Sequence, residues 1–268
     1  MVIGQKLSTT ELLYKRAAQM GLQPSWLRPG GLFVIETTDG EKYINSSRNP
    51  LNSHVSSSLA KNKYLTRLIC QRHGLPNIPF ALPQTAGQAE DFLKQHQTIV
   101  VKPVGGSGSQ DIHIVSDMSQ LSGLNIQEYI FEKYVTGKEL RYLILNDEVI
   151  AVHESEYGAS VKEDRSLQRI SYPVSDWCPE LVAMSLNIVK ILGMKFAAVD
   201  YIIDAQNKAF ILEVNSAPGL KWFHAPTSGP PVDVASMFLD AILAEVKAKV
   251  ASRPEGPELG LIPTQAYS

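Results

Sequence analysis

Cysteine is scarce in this 268-residue chain: Cys70 and Cys178 are the only two, far apart and without CxxC spacing. Neither a disulfide framework nor a zinc site is readable, and both are taken as reduced thiols. An excess of either charge is lacking too. Lys and Arg number 25 against 27 Asp and Glu, a formal net charge of -2 without a long block of like sign, so the basic footprint of a nucleic-acid or anionic-membrane binder is missing. No run approaches the ~18 apolar residues of a membrane span, and the opening MVIGQKLSTTELLYKRAAQ has no apolar signal core. A cytoplasmic protein is the expectation. Absent as well are an internal repeat, the phosphate-loop spacing G-x-x-x-x-G-K-[ST], the dinucleotide fingerprint G-x-G-x-x-G and the nucleophile motif G-x-S-x-G. What remains is 44% hydrophobic and 19% charged, the composition of a globular protein handling small molecules.

Local signals give an α+β layout. A helix is expected from Ser8 to Met20, capped by Ser8 or Thr9 and stopped by Gly21. A hairpin follows around Asp39-Gly40, then a polar, breaker-rich connection from Asn45 to Ser58, then a helix to about His73. A short helix lies near Gly87 to Gln95. The runs TIVVKPV, DIHIV, IQEYIFEKYV, ELRYLIL and EVIAVHE read as one antiparallel sheet. ELVAMSLNIVKILG is a helix, KFAAVDYIID and AFILEV are strands, and a last helix spans roughly Val232 to Val250. The expected division is a lead-in over 1–60, a first subdomain over 61–135, a second over 136–250 and a tail over 251–268.

Two features carry chemistry. In the strand pair ending EVNSAPGL, alternation puts Glu213 and Asn215 on one side, and a two-residue loop at Gln206-Asn207 would set Asp200 opposite Glu213. Three oxygen ligands would then converge as a hard ion such as Mg²⁺ requires; solvent-facing polar residues on a half-buried hairpin are the alternative. The second feature is VVKPVGGSGSQ, where glycine amides over Gly105, Gly106, Ser107, Gly108 and Ser109 can cradle phosphate and Lys102 supplies a point charge. By itself such a loop is equally a flexible turn.

Together these motifs resemble the ATP-grasp superfamily from about Ala60 to Leu220, most closely the branch holding D-alanine–D-alanine ligase, ribosomal-protein glutamate ligase and the ATP-grasp modules of glutathione and cyanophycin synthetases. EVNSAPGL looks like the family's metal strand, KNKYLTRLICQRHGLPNIP like the helix carrying a first ATP lysine at Lys63, and VVKPVGGSGSQ like the second-lysine strand at Lys102. EKYVTGKELRYLIL is similar to the hinge, with Glu132, Lys133, Tyr134 and Val135 at the adenine edge, Glu139 on the ribose and Arg141 near the reacting carboxylate; the run QEYI just upstream competes for that register. The resemblance implies two α+β subdomains clasping ATP. Asp200, Glu213 and Asn215 would hold Mg²⁺, with Mn²⁺ as a substitute. A carboxylate of an amino acid or peptide would be phosphorylated, and its acylphosphate attacked by an amine acceptor. Lys102, Arg141 and Asn215 are the expected catalytic groups.

The family's substrate-side arginine and asparagine are not reproduced in HESEYGASVKEDRSLQRISYP, so Arg165 and Arg169 are only candidates for anion contact. Arg48 and His54 are candidates for an acceptor pocket, and Lys221, Trp222 and His224 for substrate neighbours because their loop follows Asn215. An ATP-grasp phosphotransferase and a non-catalytic ATP-binding partner stay open beside the ligase, as does a homodimer.

Overall fold

The computed structural model describes residues 7–105, 111–155 and 168–251. Ser8 accepts the Glu11 amide while the Glu11 side chain returns to the Ser8 amide, a capping box that starts helix α1 (Thr9–Gln19) by satisfying two amides a helix start leaves bare. Leu12, Leu13 and Ala17 of α1 pack toward an antiparallel sheet of β1 (Pro24–Arg28), β2 (Leu32–Thr37) and β3 (Gly40–Ile44). β1 carries no alternating pattern and was not expected. In the β2–β3 hairpin Thr37 pairs with Gly40, so Thr38 and Asp39 form the loop and positive φ falls on Gly40 alone, at 102°.

The polar connection expected up to Ser58 is helical in its second half. Ser53 accepts the Ser56 amide and caps α2 (His54–Lys61); Asn62 then closes α2, turns extended, and caps α3 (Lys63–Arg72) through the Leu65 amide. One expected helix is therefore two, because an Asn side chain offers the backbone an alternative to helical pairing. Beyond α3 come β4 (Phe80–Ala81), α4 (Ala86–His96), β5 (Ile99–Pro103), β6 (His113–Val115) and β7 (Tyr129–Lys133), a sheet in the order β4-β7-β5-β6. A second sheet, in the order β10-β9-β8-β11-β12, comprises β8 (Lys138–Leu145), β9 (Glu148–Ser155), β10 (Arg169–Tyr172), β11 (Phe196–Ile203) and β12 (Ala209–Asn215). The strands expected in one sheet thus divide between two. Gly137 stands where β8 departs: a Cβ there would lie 1.9 Å from the Ile203 carbonyl, so no side chain fits.

One face of the five-stranded sheet, with Tyr142, Ile144, Val199, Tyr201 and Val214, buries against Leu181, Ile188 and Val189 of α5 (Pro179–Ile191). The other face changes character along its length. Leu143, Leu145, Ala151, Phe196 and Ala198 pack with α1, with the three-stranded sheet, with Phe223 of α6 (Lys221–His224) and with Phe238 of α7 (Val234–Ala251). Two residues further along the same alternation, that face carries Glu139, Arg141, His153 and Asp200. Among the described residues no helix is long and apolar enough to cross a membrane.

Candidate active site

The acidic hairpin is built differently from its expected form. Asp204 pairs with Lys208 and its carboxylate accepts the amides of Gln206 and Lys208, each at 2.9 Å, leaving a three-residue loop that ends on Asn207 at φ 60°. That loop alone would shift the register by one. A bulge at Leu212 shifts it back, so Asp200 does lie opposite Glu213, and Glu213 and Asn215 share its face.

Arg141 stands beside Asp200 on β8 and grips both carboxylate oxygens at 2.5 Å; its Nη2 is also 3.8 Å from Glu213. Packing and Asp200 push the Glu213 carboxyl upward even though 39% of its side chain is exposed. Glu139 is raised to about 7, by burial first and then by Asp200. Negative charge is therefore crowded beyond what Arg141 neutralises, a condition that a cation relieves. Among the described residues no cluster of three His, Cys, Asp or Glu is arranged for a metal; the oxygen set is two carboxylates and the Asn215 amide, whose Oδ1 also accepts the Ala217 amide at 2.9 Å. Such an all-oxygen set, with few carboxylates, fits Mg²⁺ better than a softer ion.

The basic side of the site is tied to the acidic hairpin by a residue the sequence reading missed. Arg67 is 2% exposed, on the face of α3 that carries Lys63 four residues before it. Its guanidinium donates to Glu132 at 2.8 Å, to the Leu212 carbonyl at 2.7 Å, to Asn77 at 3.2 Å and to the Ile211 carbonyl. It thus caps the carbonyls that the bulge frees. Glu132 in turn holds Lys102 Nζ at 2.8 Å. Burial favours a protonated Glu132, but Arg67 and Lys102 outweigh it and hold the carboxyl down to about 2. The side chain of Glu132, a residue expected at the adenine edge, is thus the centre of a buried ion network. Lys63 begins α3 with its amide on the Val104 carbonyl, 2.9 Å, and its ammonium is pulled downward by burial and by Lys102, opposed by Glu213 and Glu132.

At the adenine-edge positions, the amides of Lys133 and Tyr134 already bond the carbonyls of Pro79 and Thr98. Val135 and Leu212 pack on Ile78, Ile202 and Phe210, an apolar cluster between the sheets that the sequence did not disclose. Gly105, two residues beyond the end of β5, is exposed; Gly106, Ser107, Gly108, Ser109 and Arg165 lie outside the described residues. A cavity of about 370 Å³ adjoins the acidic face, walled by Glu139, Arg141, His153, Arg169, Lys221 and Trp222, with Ser8 and Thr9 at its rim. Arg169, Lys221 and Trp222 are therefore brought to the site as expected, whereas His224 does not line it and lies 3.6 Å from Asp233. Arg48 and His54 are exposed and line neither this cavity nor the open groove beside Gly105.

A lysine-bearing sheet facing an acidic hairpin across an apolar seam defines the class of ATP-grasp ligases. The model of the RimK-like ATP-grasp domain matches residues 60–242, and the chain belongs to that family. Tetrahydromethanopterin:alpha-L-glutamate ligase of Methanocaldococcus jannaschii is 24% identical over 221 residues, 77% of this chain and 74% of that protein. D-alanine–D-alanine ligase of Dichelobacter nodosus is 25% identical over 187 residues, 62% and 60% of the two. The bifunctional glutathione synthetase of Pasteurella multocida superposes with a TM-score of 0.66 at 16% identity, covering 90% of this chain and 44% of that one; at that identity the likeness concerns the fold. The relatives named here are ligases that join a carboxylate to an amine.

Proposed function

We propose that the protein phosphorylates the carboxylate of an amino acid or peptide with ATP and passes the acyl group to an amine. The observation that carries this reading is the convergence of Glu139, Arg141, Asp200 and Glu213 on one sheet face beside the cavity, with Lys63 and Lys102 close enough to Glu213 to perturb its titration or be perturbed by it.

The apolar cluster around Ile202 and Phe210 offers flat contact to a purine, with the backbone of Glu132 to Val135 at its edge. Glu139 accepts from the ribose hydroxyls once ionised. Lys63 and Lys102 meet the phosphates as point charges, and Glu132 holds Lys102 in one direction. Asp200, Glu213 and Asn215 would hold Mg²⁺, or Mn²⁺, which supplies charge neutralisation at the transferring phosphoryl. Arg141, oriented by Asp200, stabilises negative charge developing on the activated carboxyl. Gly105, exposed at the open groove, would offer its amide to the phosphates. The amine attacks in its neutral form: a C–N bond forms, the bond from acyl carbon to phosphate oxygen breaks, and phosphate leaves. No nucleophilic side chain is required, since positioning and electrostatics supply the rate.

The test is ADP release across pairs of amino acids or peptides and amines, with mass spectrometry of the product. A ligase releases ADP only when both partners are supplied and yields an amide. A stable phosphorylated product from one acceptor alone would convert the reading to phosphotransfer.

A further inference from the structure

His153 is 2% exposed and sits in the sheet between Arg141 of β8 and Ser171 of β10, on the wall of the 370 Å³ cavity. Neither of its ring nitrogens makes a hydrogen bond of normal geometry among the described residues, although the backbone of Glu154 and of His153 itself lies close enough to favour the charged ring, and the buried hydroxyl of Ser171 next to it has no partner there. Buried polar groups left bare destabilise a fold, and a sheet position that accepts Ala151 two residues earlier on the same face has no structural need of an imidazole. An orphaned ring at a cavity wall calls for a partner beyond the described residues, and a ligand in the cavity is one. The ring is pinned against Phe223 at 4.5 Å between centroids. Burial foremost, then Arg141 and Arg169, hold it well below the ordinary histidine range, so it presents one N–H donor and one lone pair, uncharged.

Two further basic groups stand on a wall that also holds Glu139. Lys221 and Arg169 both lie over the Trp222 ring, 4.6 and 5.8 Å from its centroid, while Arg141 and Asp200 satisfy each other. The volume lies within the usual range for small-molecule sites, roughly 300–1,000 Å³. We propose that His153 is the specificity-determining residue of this chamber: it hydrogen-bonds a polar group of an amino acid or peptide end whose carboxylate is held by the Arg169–Trp222–Lys221 wall. That the occupant is the enzyme's carboxylate substrate rests on the ligase reading above; that the imidazole serves an occupant rests on the orphaned nitrogens. A site built around such a group discriminates strongly against analogues lacking its partner, because the imidazole is then left bare again.

The experiment is calorimetric titration of the protein, loaded with Mg-ADP, with each of the twenty L-amino acids and glycylglycine, on wild type, His153→Leu and His153→Gln, with the melting temperature of each ligand-free protein. The expected result is that the best binder is lost by about tenfold or more in His153→Leu and recovered within about threefold in His153→Gln, which restores a neutral donor and acceptor. The ligand-free His153→Leu protein should melt at or above wild type, since an orphan has been removed, and ADP affinity should not change. A purely structural histidine gives the opposite pattern: a lower melting temperature and unchanged binding. Equal affinity in wild type and His153→Leu, or no binder in the panel, overturns the proposal. Tight, His153-dependent binding without ADP release in the substrate screen would sink the ligase reading and leave this one standing.

Discussion

Replacing Arg67 with Met removes a side chain that touches both the bulge of β12 and the ion network of β7. The substitution keeps the length and apolar stem but leaves Glu132 paired only with Lys102 and strips the carbonyls of Ile211 and Leu212. Breaking a buried pair by deleting one partner costs about 3–5 kcal/mol, and each stripped carbonyl adds roughly 1 kcal/mol where water cannot reach it. A total of about 5–7 kcal/mol is a large part of the ~5–15 kcal/mol that holds a domain together. For a chain of this size that corresponds to a fall of roughly 10–28 °C in melting temperature, read by circular dichroism. Acid titration adds an independent arm. Glu132 is held at about 2 against an ordinary 4.5, so it contributes stability fully present above 4.5 and lost as pH falls from there through 2, roughly 3 kcal/mol at ~1.36 kcal/mol per unit. In Arg67→Met that acid-sensitive window should shrink, and adding Glu132→Gln should destabilise the protein further, because the buried Lys102 ammonium then loses its carboxylate. A melting temperature within about 3 °C of wild type would refute the network as a structural tie.

Other expectations follow from the same geometry. Asp200→Asn and Glu213→Gln each remove a carboxylate from the acidic face, and each should lower ADP release at least about a hundredfold, partly restored by raised Mg²⁺; unchanged turnover in either variant would remove that residue from the metal set. Glu139, raised to about 7, ionises in the unfolded chain from 4.5 upward while the folded protein still holds its proton, so it subtracts stability as pH rises through that window. A bound cation favours its ionised form, so Mg-nucleotide binding should release a proton and tighten as pH rises toward 7, with Glu139→Gln flattening the dependence; calorimetry in two buffers of different ionisation enthalpy reads the proton. Asn207 sits at φ 60°, so Asn207→Val should cost about 1–2 kcal/mol while Asn207→Gly stays near neutral, both read from denaturant midpoints.

How far the sequence discloses this molecule depends on whether a feature is local. The cap at Ser8, the stop at Gly21 and helix α5 are legible because each depends on neighbours within a turn. The break at Asn62 is local as well, yet it hides inside a helical pattern, since Asn serves equally as an end and a beginning. The pairing of Asp200 with Glu213 is instructive for the opposite reason. It was expected from a two-residue loop, whereas the chain makes a three-residue loop and a compensating bulge at Leu212. Alternation contains a hint, because Ile211 and Val214 both enter the core on the α5 side, three positions apart where an unbroken strand demands two or four. Arg67 also left a trace: an arginine in the buried stripe of α3 with Thr66 and Cys70 needs several acceptors, and only strands far along the sequence supply them.

The cavity beside the acidic face left a trace only in Arg169, Lys221 and Trp222, because its walls come from the start of α1, from β8, β9, β10 and β11 and from the loop after β12, and only the order β10-β9-β8-β11 brings them to one place. Read along the chain, His153 is one polar letter in EVIAVHE, indistinguishable from a solvent-facing residue on an edge. The structure buries it because β9 has neighbours on both sides and Phe223 lies over its face. The nucleotide end of such a site has to meet the same phosphates and ribose in every ATP-dependent ligase, so its lysines, glycines and acids recur in recognisable short motifs. The substrate end meets a different molecule in each, and its residues are selected one at a time for position on a shared surface. A chain can therefore announce its chemistry in sequence while its specificity becomes legible only as an orphaned polar group at a cavity wall, here the imidazole of His153.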